Sequence, residues 1–385
     1  MTHLEHVGIA VSDPEAAIRL FERLLGVRPY KQERVALEGV QTHFLAAGST
    51  KLELLEALGP DSPVARYLAK RGEGLHHLAF DVEDIDAQMQ HVRAHGFTPL
   101  SEAPRPGADG KLIFFLHPKE TLGVLIEFCQ NAPAPLPATS VAFRGEHLAV
   151  YERGGHGQPP LVVLHGAGGA TALETAPLIR RLEPHFRVLA LDFAAHGGSA
   201  SYDAVPLSID FLADNVLGML DALDLDAAHL FGFSLGGYVA LHVALRHPDR
   251  VGRLAVHGTN IVWDAPLVAA MQARLDVAHI TTRYPAVAQR LEATHPDWPR
   301  LFARIHRMVA DLPTRREPRV ALHRIAQPIL VSAVDRDDLF PLDATLSLHR
   351  TLPNSTLAIL PGTRHALETL DPALYAPLLV QHFGA

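Results

Sequence analysis

Two histidines and two glutamates recur at matched distances in the first third of this 385-residue chain. His6 and His77 are 71 positions apart, and Glu53 and Glu127 are 74 apart. His6 leads into Val7, Gly8, Ile9, Ala10 and Val11, and His77 into Leu78, Ala79, Phe80, Asp81 and Val82. With side chains alternating along a strand, each histidine falls on the face of the small residues Gly8, Ala10 and Ala79, opposite the large apolar ones. Glu53 stands between Leu52 and Leu54, and Glu127 between Ile126 and Phe128. A carboxylate inside such a run is costly to bury unless it is paired or bound to a cation. Taken singly, each of the four reads as a half-exposed strand residue. Taken together at matched positions, they make a site for a divalent ion. Mixed nitrogen and oxygen donors suit Co, Mn, Ni, Fe or Zn rather than Ca or Mg.

A second constellation suits nucleophilic catalysis. Gly232-Phe233-Ser234-Leu235-Gly236 follows a short apolar run and precedes a helical pattern. The flanking glycines permit the sharp turn that lifts a serine hydroxyl above a sheet. A serine nucleophile needs a base and a group that orients it. Asp337 and His365 follow Ser234 in the required order, each in a loop after an apolar run, with Asp335 and Asp338 as neighbours that compete for the acidic role. Backbone N–H donors for a developing oxyanion are expected from Leu235 and from the loop 165–169, with Ala167 as the second donor. His165, His196 and His257 read as turn or core histidines.

The elements that must position these groups divide into two modules. In residues 1–131 each ligand-bearing histidine starts a strand, followed by helical patterns at 14–25 and 85–95, a glycine (Gly26 or Gly96) and further strands ending at the glutamate. This is a repeated βαβββ unit. Residues 132–139 are a proline-rich linker, with Pro133, Pro135 and Pro137 favouring extended chain. All five lysines precede residue 130, which agrees with a boundary there. Residues 140–385 alternate short apolar runs with helical patterns, the layout of a mostly parallel sheet covered on both faces. The expected fold is therefore a two-domain α/β and α+β chain.

Both modules resemble known families. Residues 3–130 resemble the methylmalonyl-CoA epimerases of the vicinal-oxygen-chelate, or glyoxalase-like, superfamily. The resemblance is carried by residues 4–11, 50–56, 61–70, 74–80 and 115–119, and by 123–127. It implies His6, Glu53, His77 and Glu127 as metal ligands, and proton exchange alpha to a thioester, with Glu127 as ligand and base together. The partner acid is open, with His43 or water as guesses. Some such epimerases carry a second carboxylate where this chain has Thr42, and threonine is a poor general base. His43 and His76 are expected to be structural, and His117 and Lys119 to lie in a loop where they could hold an anionic group. Residues 140–385 resemble the α/β-hydrolase family, which implies a Ser234–His365–Asp337 triad and a helical cap at about 262–320 containing Trp263 and Trp298.

The expected activity is a bifunctional one, an isomerase of methylmalonyl-CoA-like thioesters fused to a serine hydrolase of esters or thioesters. The alternative is a serine esterase with a non-catalytic or other glyoxalase-type domain. Substrates are expected to be acyl-CoA or ester molecules, and a homodimer is one assembly to consider. A net charge of −8 argues against a nucleic-acid surface. No apolar run approaches the ~18 residues of a membrane span. The single cysteine, Cys129, excludes an internal disulfide and a cysteine-built zinc site. The first residues lack a secretory pattern, so a cytoplasmic location is expected.

Overall fold

A computed structural model describes residues 3–35, 38–131, 136–315 and 321–384. The chain forms two compact units, Met1–Ala134 and Pro135–Ala385. Half of the expected linker, 132–135, lies outside the described residues. Its last two residues, Ala138 and Thr139, instead begin a strand that pairs with Tyr151 and Val150, because alternation resumes as soon as the prolines end.

The sequence repeat of the first unit becomes two βαβββ halves. The first is β1 (His3–Ala10), α1 (Pro14–Leu25), β2 (Pro29–Val35), β3 (Val40–Ala47) and β4 (Thr50–Ala57). Helix α2 (Pro63–Arg71) leads to the second half: β5 (Gly74–Asp81), α3 (Ile85–Ala94), β6 (Arg105–Pro106), β7 (Lys111–Leu116) and β8 (Leu125–Asn131). The sheet order is β2-β3-β4-β1-β5-β8-β7-β6, so the halves mirror each other about the antiparallel pair β1–β5. The repeat extends to the helix caps, where Asp13 and Asp84 each accept the backbone N–H three residues on, at 2.9 Å. On one face Ile9, Val11 and Leu54 pack against Ile18 and Phe21 of α1, and Phe114 packs against Ile85 and Met89 of α3. The other face carries the polar cluster described below, closed on one side where Val64 of α2 meets Ala10, Val40 and Leu55.

The second unit is an eight-stranded sheet. Its strands are β9 (Ala138–Phe143), β10 (Glu146–Arg153), β11 (Pro160–Leu164), β12 (Arg187–Leu191), β13 (Ala228–Phe233), β14 (Val251–His257), β15 (Ile329–Val334) and β16 (Ser355–Leu360). Their spatial order is β16-β15-β14-β13-β11-β12-β10-β9, parallel from β16 to β12. Helices α4 (Ala176–Leu182), α5 (Ile209–Ala222), α6 (Leu235–Arg246), α11 (Leu342–Thr351) and α12 (Pro372–Phe383) cover the two faces, which bury separate apolar cores. Between β14 and β15 the chain inserts α7 (Ala265–Arg274), α8 (Val277–Arg283), α9 (Pro285–Thr294) and α10 (Trp298–Asp311). Residues 316–320, at the end of the range expected for a cap, lie outside the described residues. Helix α10 buries Trp298, Leu301, Phe302, Ile305 and Val309 on one face, the 3.6-residue pattern of an amphipathic helix. The two-domain α/β and α+β class expected from the sequence is the class observed. Among the described residues no helix is long and apolar enough to cross a membrane.

Candidate active sites

In the first unit the two central strands bring His6 and His77 together edge-on, with their Nε2 atoms 2.9 Å apart. Gly8 on β1 lies opposite both His77 on β5 and Glu53 on β4, while Ala79 on β5 lies opposite Glu127 on β8. Small residues are needed at these points. A Cβ added at Gly8 would stand 2.2 Å from the His77 ring, so only glycine leaves the imidazole its place. Glu53 Oε2 lies 3.3 Å from both Nε2 atoms, and the Glu127 oxygens lie 4.0 Å from His6 and 3.6 Å from His77. Donor atoms of His6, His77 and Glu127 all fall within 4.8 Å of one another. All four side chains are buried.

Such a cluster is uncomfortable without a shared cation. Two imidazole nitrogens at 2.9 Å are compatible when a proton sits between them or when both lone pairs meet one ion. Burial pushes His6 down, yet its contacts with Glu5 and Glu53 outweigh this and raise it to about 10. Burial pushes Glu53 up, and the two histidines bring it down to about 2. For Glu127 burial prevails over the same histidines and holds its carboxyl above the usual range. The donor set, two neutral-capable imidazoles and two carboxylates converging in a pocket, fits a first-row divalent ion.

Two neighbours of the cluster were not anticipated. The β1–β5 pairing slips between Leu4 and His6 and again between Leu75 and His77, leaving Glu5 and His76 as unpaired bulge residues. Each bulge turns the residue before a histidine toward that histidine's Nδ1. Glu5 Oε2 is 2.5 Å from His6 Nδ1, and His76 Nδ1 is 3.0 Å from His77 Nδ1. His76, expected to be structural, therefore touches the cluster, because a regular period of two does not survive a bulge. Lys51 binds Glu5 at 2.5 Å and Asp109 at 2.6 Å, and the buried Lys111 lies 3.3 Å from Glu5. The guess at His43 is corrected. Val40, Thr42 and Phe44 line the pocket, whereas His43 belongs to the opposite face of β3 and lies 3.6 Å from Glu56. The Thr42 hydroxyl donates to the Glu33 carbonyl at 3.2 Å. His117 and Lys119 line an open groove beside the pocket, with Arg66, Lys70, Arg71 and Arg105.

In the second unit Ser234, Asp337 and His365 come from loops beyond β13, β15 and β16, at the ends of parallel strands where ligands bind in open α/β sheets. Ser234 has φ 51°, a strained conformation for a side-chain-bearing residue. The turn is tight enough that a Cβ at Gly232 would lie 2.4 Å from the Gly236 backbone, and one at Gly236 2.4 Å from the Leu164 carbonyl oxygen. His365 Nε2 is 3.1 Å from Ser234 Oγ, and its Nδ1 is 2.8 Å from Asp337 Oδ2. Asp337 Oδ1 accepts the N–H groups of Leu339 and Phe340, both at 2.8 Å. Burial pushes this carboxyl up, but His365 and the two amides hold it below the ordinary value. An ionised Asp337 fixes the proton on Nδ1 and leaves Nε2 to accept from the serine, the arrangement that activates a hydroxyl nucleophile. Its two rivals are engaged elsewhere: Asp335 accepts the Gly362 N–H at 2.6 Å, and Asp338 the His365 N–H at 3.4 Å. Leu235 opens α6, where a backbone N–H has no acceptor within its own helix. Ala167 lies in the loop between Gly166 and Gly168 after β11.

His165 and His257 are fully buried in this unit, and burial pushes both down to about 3. His165 faces His196 and His295, while His257 faces His365 and Asp337. In the unfolded chain each titrates near 6.5. The unfolded state therefore binds more protons between these values, and the stability gained by keeping both rings neutral is lost as pH falls from about 6.5 toward 3. We expect the thermal midpoint of the second unit to drop steadily between pH 7 and pH 4.5 in circular dichroism melts. A midpoint level across that range would contradict the neutral assignment.

The two arrangements define two classes of enzyme module: paired βαβββ halves around an imidazole–carboxylate cluster, and a parallel sheet carrying Ser, His and Asp at its strand ends. Comparison with known families agrees. Residues 5–115 match the glyoxalase/bleomycin resistance protein/dioxygenase superfamily, and residues 159–295 match the α/β-hydrolase fold. Human mitochondrial methylmalonyl-CoA epimerase is 40% identical over 128 residues, 33% of this chain and 73% of its own. RutD of Caulobacter sp. (strain K31), which bears the name of a carbamate hydrolase, is 29% identical over 242 residues, 57% of this chain and 90% of its own. The crystal structure of a hydrolase from Pseudomonas aeruginosa PA01 shares 25% identity at a TM-score of 0.53, covering 64% of this chain and 98% of that one. The chain belongs through its first unit to the family of the methylmalonyl-CoA epimerases, and its second unit has the α/β-hydrolase fold, so it is a fusion of an epimerase-like domain with a hydrolase domain.

Proposed function

We propose that this chain is a bifunctional enzyme. Its first unit exchanges the proton alpha to the thioester of a methylmalonyl-CoA-like substrate, and its second hydrolyses esters or thioesters. The observation that carries the first half is the convergence of His6, Glu53, His77 and Glu127 from repeat-related positions. These four residues would hold a divalent ion of the Co, Mn, Ni or Zn type. Such an ion, when bound, supplies Lewis-acid stabilisation of negative charge developing on the substrate oxygens. Glu127 takes the proton. Water reaching the opposite face returns a proton there and the proton on Glu127 passes to solvent, which completes the inversion. Thr42 is a poor second base, since a neutral hydroxyl has far less affinity for a proton than a carboxylate. Glu5 and His76 orient the two imidazoles through Nδ1, as outer partners of metal-bound histidines do. The groove lined by Arg66, Lys70, Arg71 and Lys119 supports an anionic tail such as the phosphates of coenzyme A.

For the second unit we propose Ser234 as nucleophile, His365 as general base and Asp337 as its orienting acid, with the Leu235 and Ala167 N–H groups receiving the oxyanion. The name of the RutD relative adds carbamates to the acyl compounds worth assaying. We propose helices α7–α10 as a cap over the acyl pocket, with Trp263 against Phe340, whose ring packs on His365.

The test of the combined reading is solvent deuterium incorporation into methylmalonyl-CoA by the Ser234→Ala protein, which cannot hydrolyse the thioester. Exchange should be rapid with added Co²⁺ and fall to background with a chelator. Equal exchange in both conditions would remove the ion from the reading, and no exchange in either would remove the epimerase.

A further inference from the structure

We infer that His295 is a positioning residue of the hydrolase site: the helical insert uses its imidazole to hold the oxyanion loop in shape. This rests on the reading of Ser234 as nucleophile and of the Ala167 N–H as an oxyanion donor. His295 directly follows α9 and is 1% exposed, so it is a polar side chain that the insert buries rather than presents to solvent. Its Nδ1 accepts the Gly197 N–H at 2.9 Å, which leaves the proton on Nε2, and Nε2 donates to the Gly168 carbonyl at 3.0 Å. Burial lowers its proton affinity, in keeping with a neutral ring.

Two further histidines complete the grip. His196 donates from Nδ1 to the Ala194 carbonyl at 3.0 Å and accepts the Gly168 N–H on Nε2 at 3.3 Å. His165 accepts the Phe193 N–H at 3.1 Å and donates from Nδ1 to the Gly166 carbonyl at 2.8 Å. Each imidazole is thus a strut between one backbone donor and one backbone acceptor, and both polar groups of Gly168 are held, one from the sheet side and one from the insert.

The consequence for Ala167 follows from peptide geometry. A trans peptide is planar, so fixing its C=O in one direction aims its N–H in the other. His295 fixes the Gly168 carbonyl, and the N–H of that same peptide, on Gly169, returns to the Gly166 carbonyl at 3.2 Å. The Gly166 carbonyl in turn belongs to the peptide that carries the Ala167 N–H. The pin supplied by the insert therefore reaches the donor through two rigid planes. Sequence separation hides the link, because His295 is 127 positions from Gly168.

Ester hydrolysis by three variants tests this, using p-nitrophenyl acetate with kcat and KM resolved. His295→Ala should lower kcat by about tenfold to a hundredfold, less than outright loss of one oxyanion donor, with KM within about twofold. His295→Gln places an amide N–H near the former Nε2 and should recover most of kcat. His295→Asn places its amide near the former Nδ1, keeps only the bond to Gly197, and should not. If His295→Ala does not fold, the contrast between Gln and Asn decides. A kcat for His295→Ala within twofold of wild type, a loss confined to KM, or rescue by Asn equal to that by Gln would overturn the inference and leave Ser234 standing. Wild-type protein that neither turns over the ester nor is labelled at Ser234 by a fluorophosphonate would overturn the reading of Ser234 and this inference together.

Discussion

Ser234→Ala is expected to reduce ester hydrolysis on the order of 10⁶-fold, because no acyl-enzyme forms and His365 is left with no hydroxyl to deprotonate. The expectation is specific to geometry as well as to residue type. Asp337→Asn should cost about 10⁴-fold, since an amide at 2.8 Å from Nδ1 favours the imidazole tautomer whose Nε2 is protonated and unable to accept from Ser234. Asp335→Asn and Asp338→Asn should cost less than tenfold. Those carboxylates accept backbone N–H groups of Gly362 and His365 and make no contact with the imidazole of His365, so their loss loosens two loops without changing the tautomer. Steady-state rates for the four variants, with folding checked by circular dichroism, separate the cases. Asp338→Asn as damaging as Asp337→Asn would mean that the acid is shared or misassigned.

What the sequence made legible was local or repeated. The turn at Ser234 could be read because glycines within two residues on either side are enough to build it, and no distant contact is needed to identify them. The cluster in the first unit could be read because the chain states the same strand twice, and the offset of 71 marks His6 and His77 together. The same offset also joins Glu5 to His76, but strict alternation places both off the ligand face. Alternation assigns residues to faces only while the ladder is regular, and two bulges give up one paired residue each on either side of the pseudo-symmetry axis. Repeat position alone, without the face argument, would have found them. His295 left no such mark. It sits in a segment whose pattern says only amphipathic helix, and its partners Gly168 and Gly197 lie more than ninety residues upstream. Contacts of that kind are set when the insert docks on the sheet and cannot be read from any window of sequence.

Glu127→Gln is expected to lower deuterium exchange into methylmalonyl-CoA by about 10³-fold while the protein still binds a stoichiometric divalent ion. Glutamine keeps one oxygen for coordination and loses the group that accepts a proton, so the variant separates the two roles assigned to this side chain. The contrast with Glu53 sharpens it. Glu53 lies 3.3 Å from both imidazoles, which hold it ionised, whereas Glu127 is farther from each and burial keeps its carboxyl above the usual range. Of the two carboxylates, Glu127 is the one that burial, rather than the imidazoles, governs. Glu53→Gln should therefore weaken the ion more than it weakens exchange at saturating metal. His77→Ala should abolish both, because it removes a donor that Gly8 and His76 exist to place. Metal content by elemental analysis, read beside exchange rates at saturating Co²⁺, distinguishes these outcomes. Exchange preserved in Glu127→Gln would transfer the base to another pocket residue, and ion lost from Glu127→Gln at every concentration would make its role that of a ligand alone.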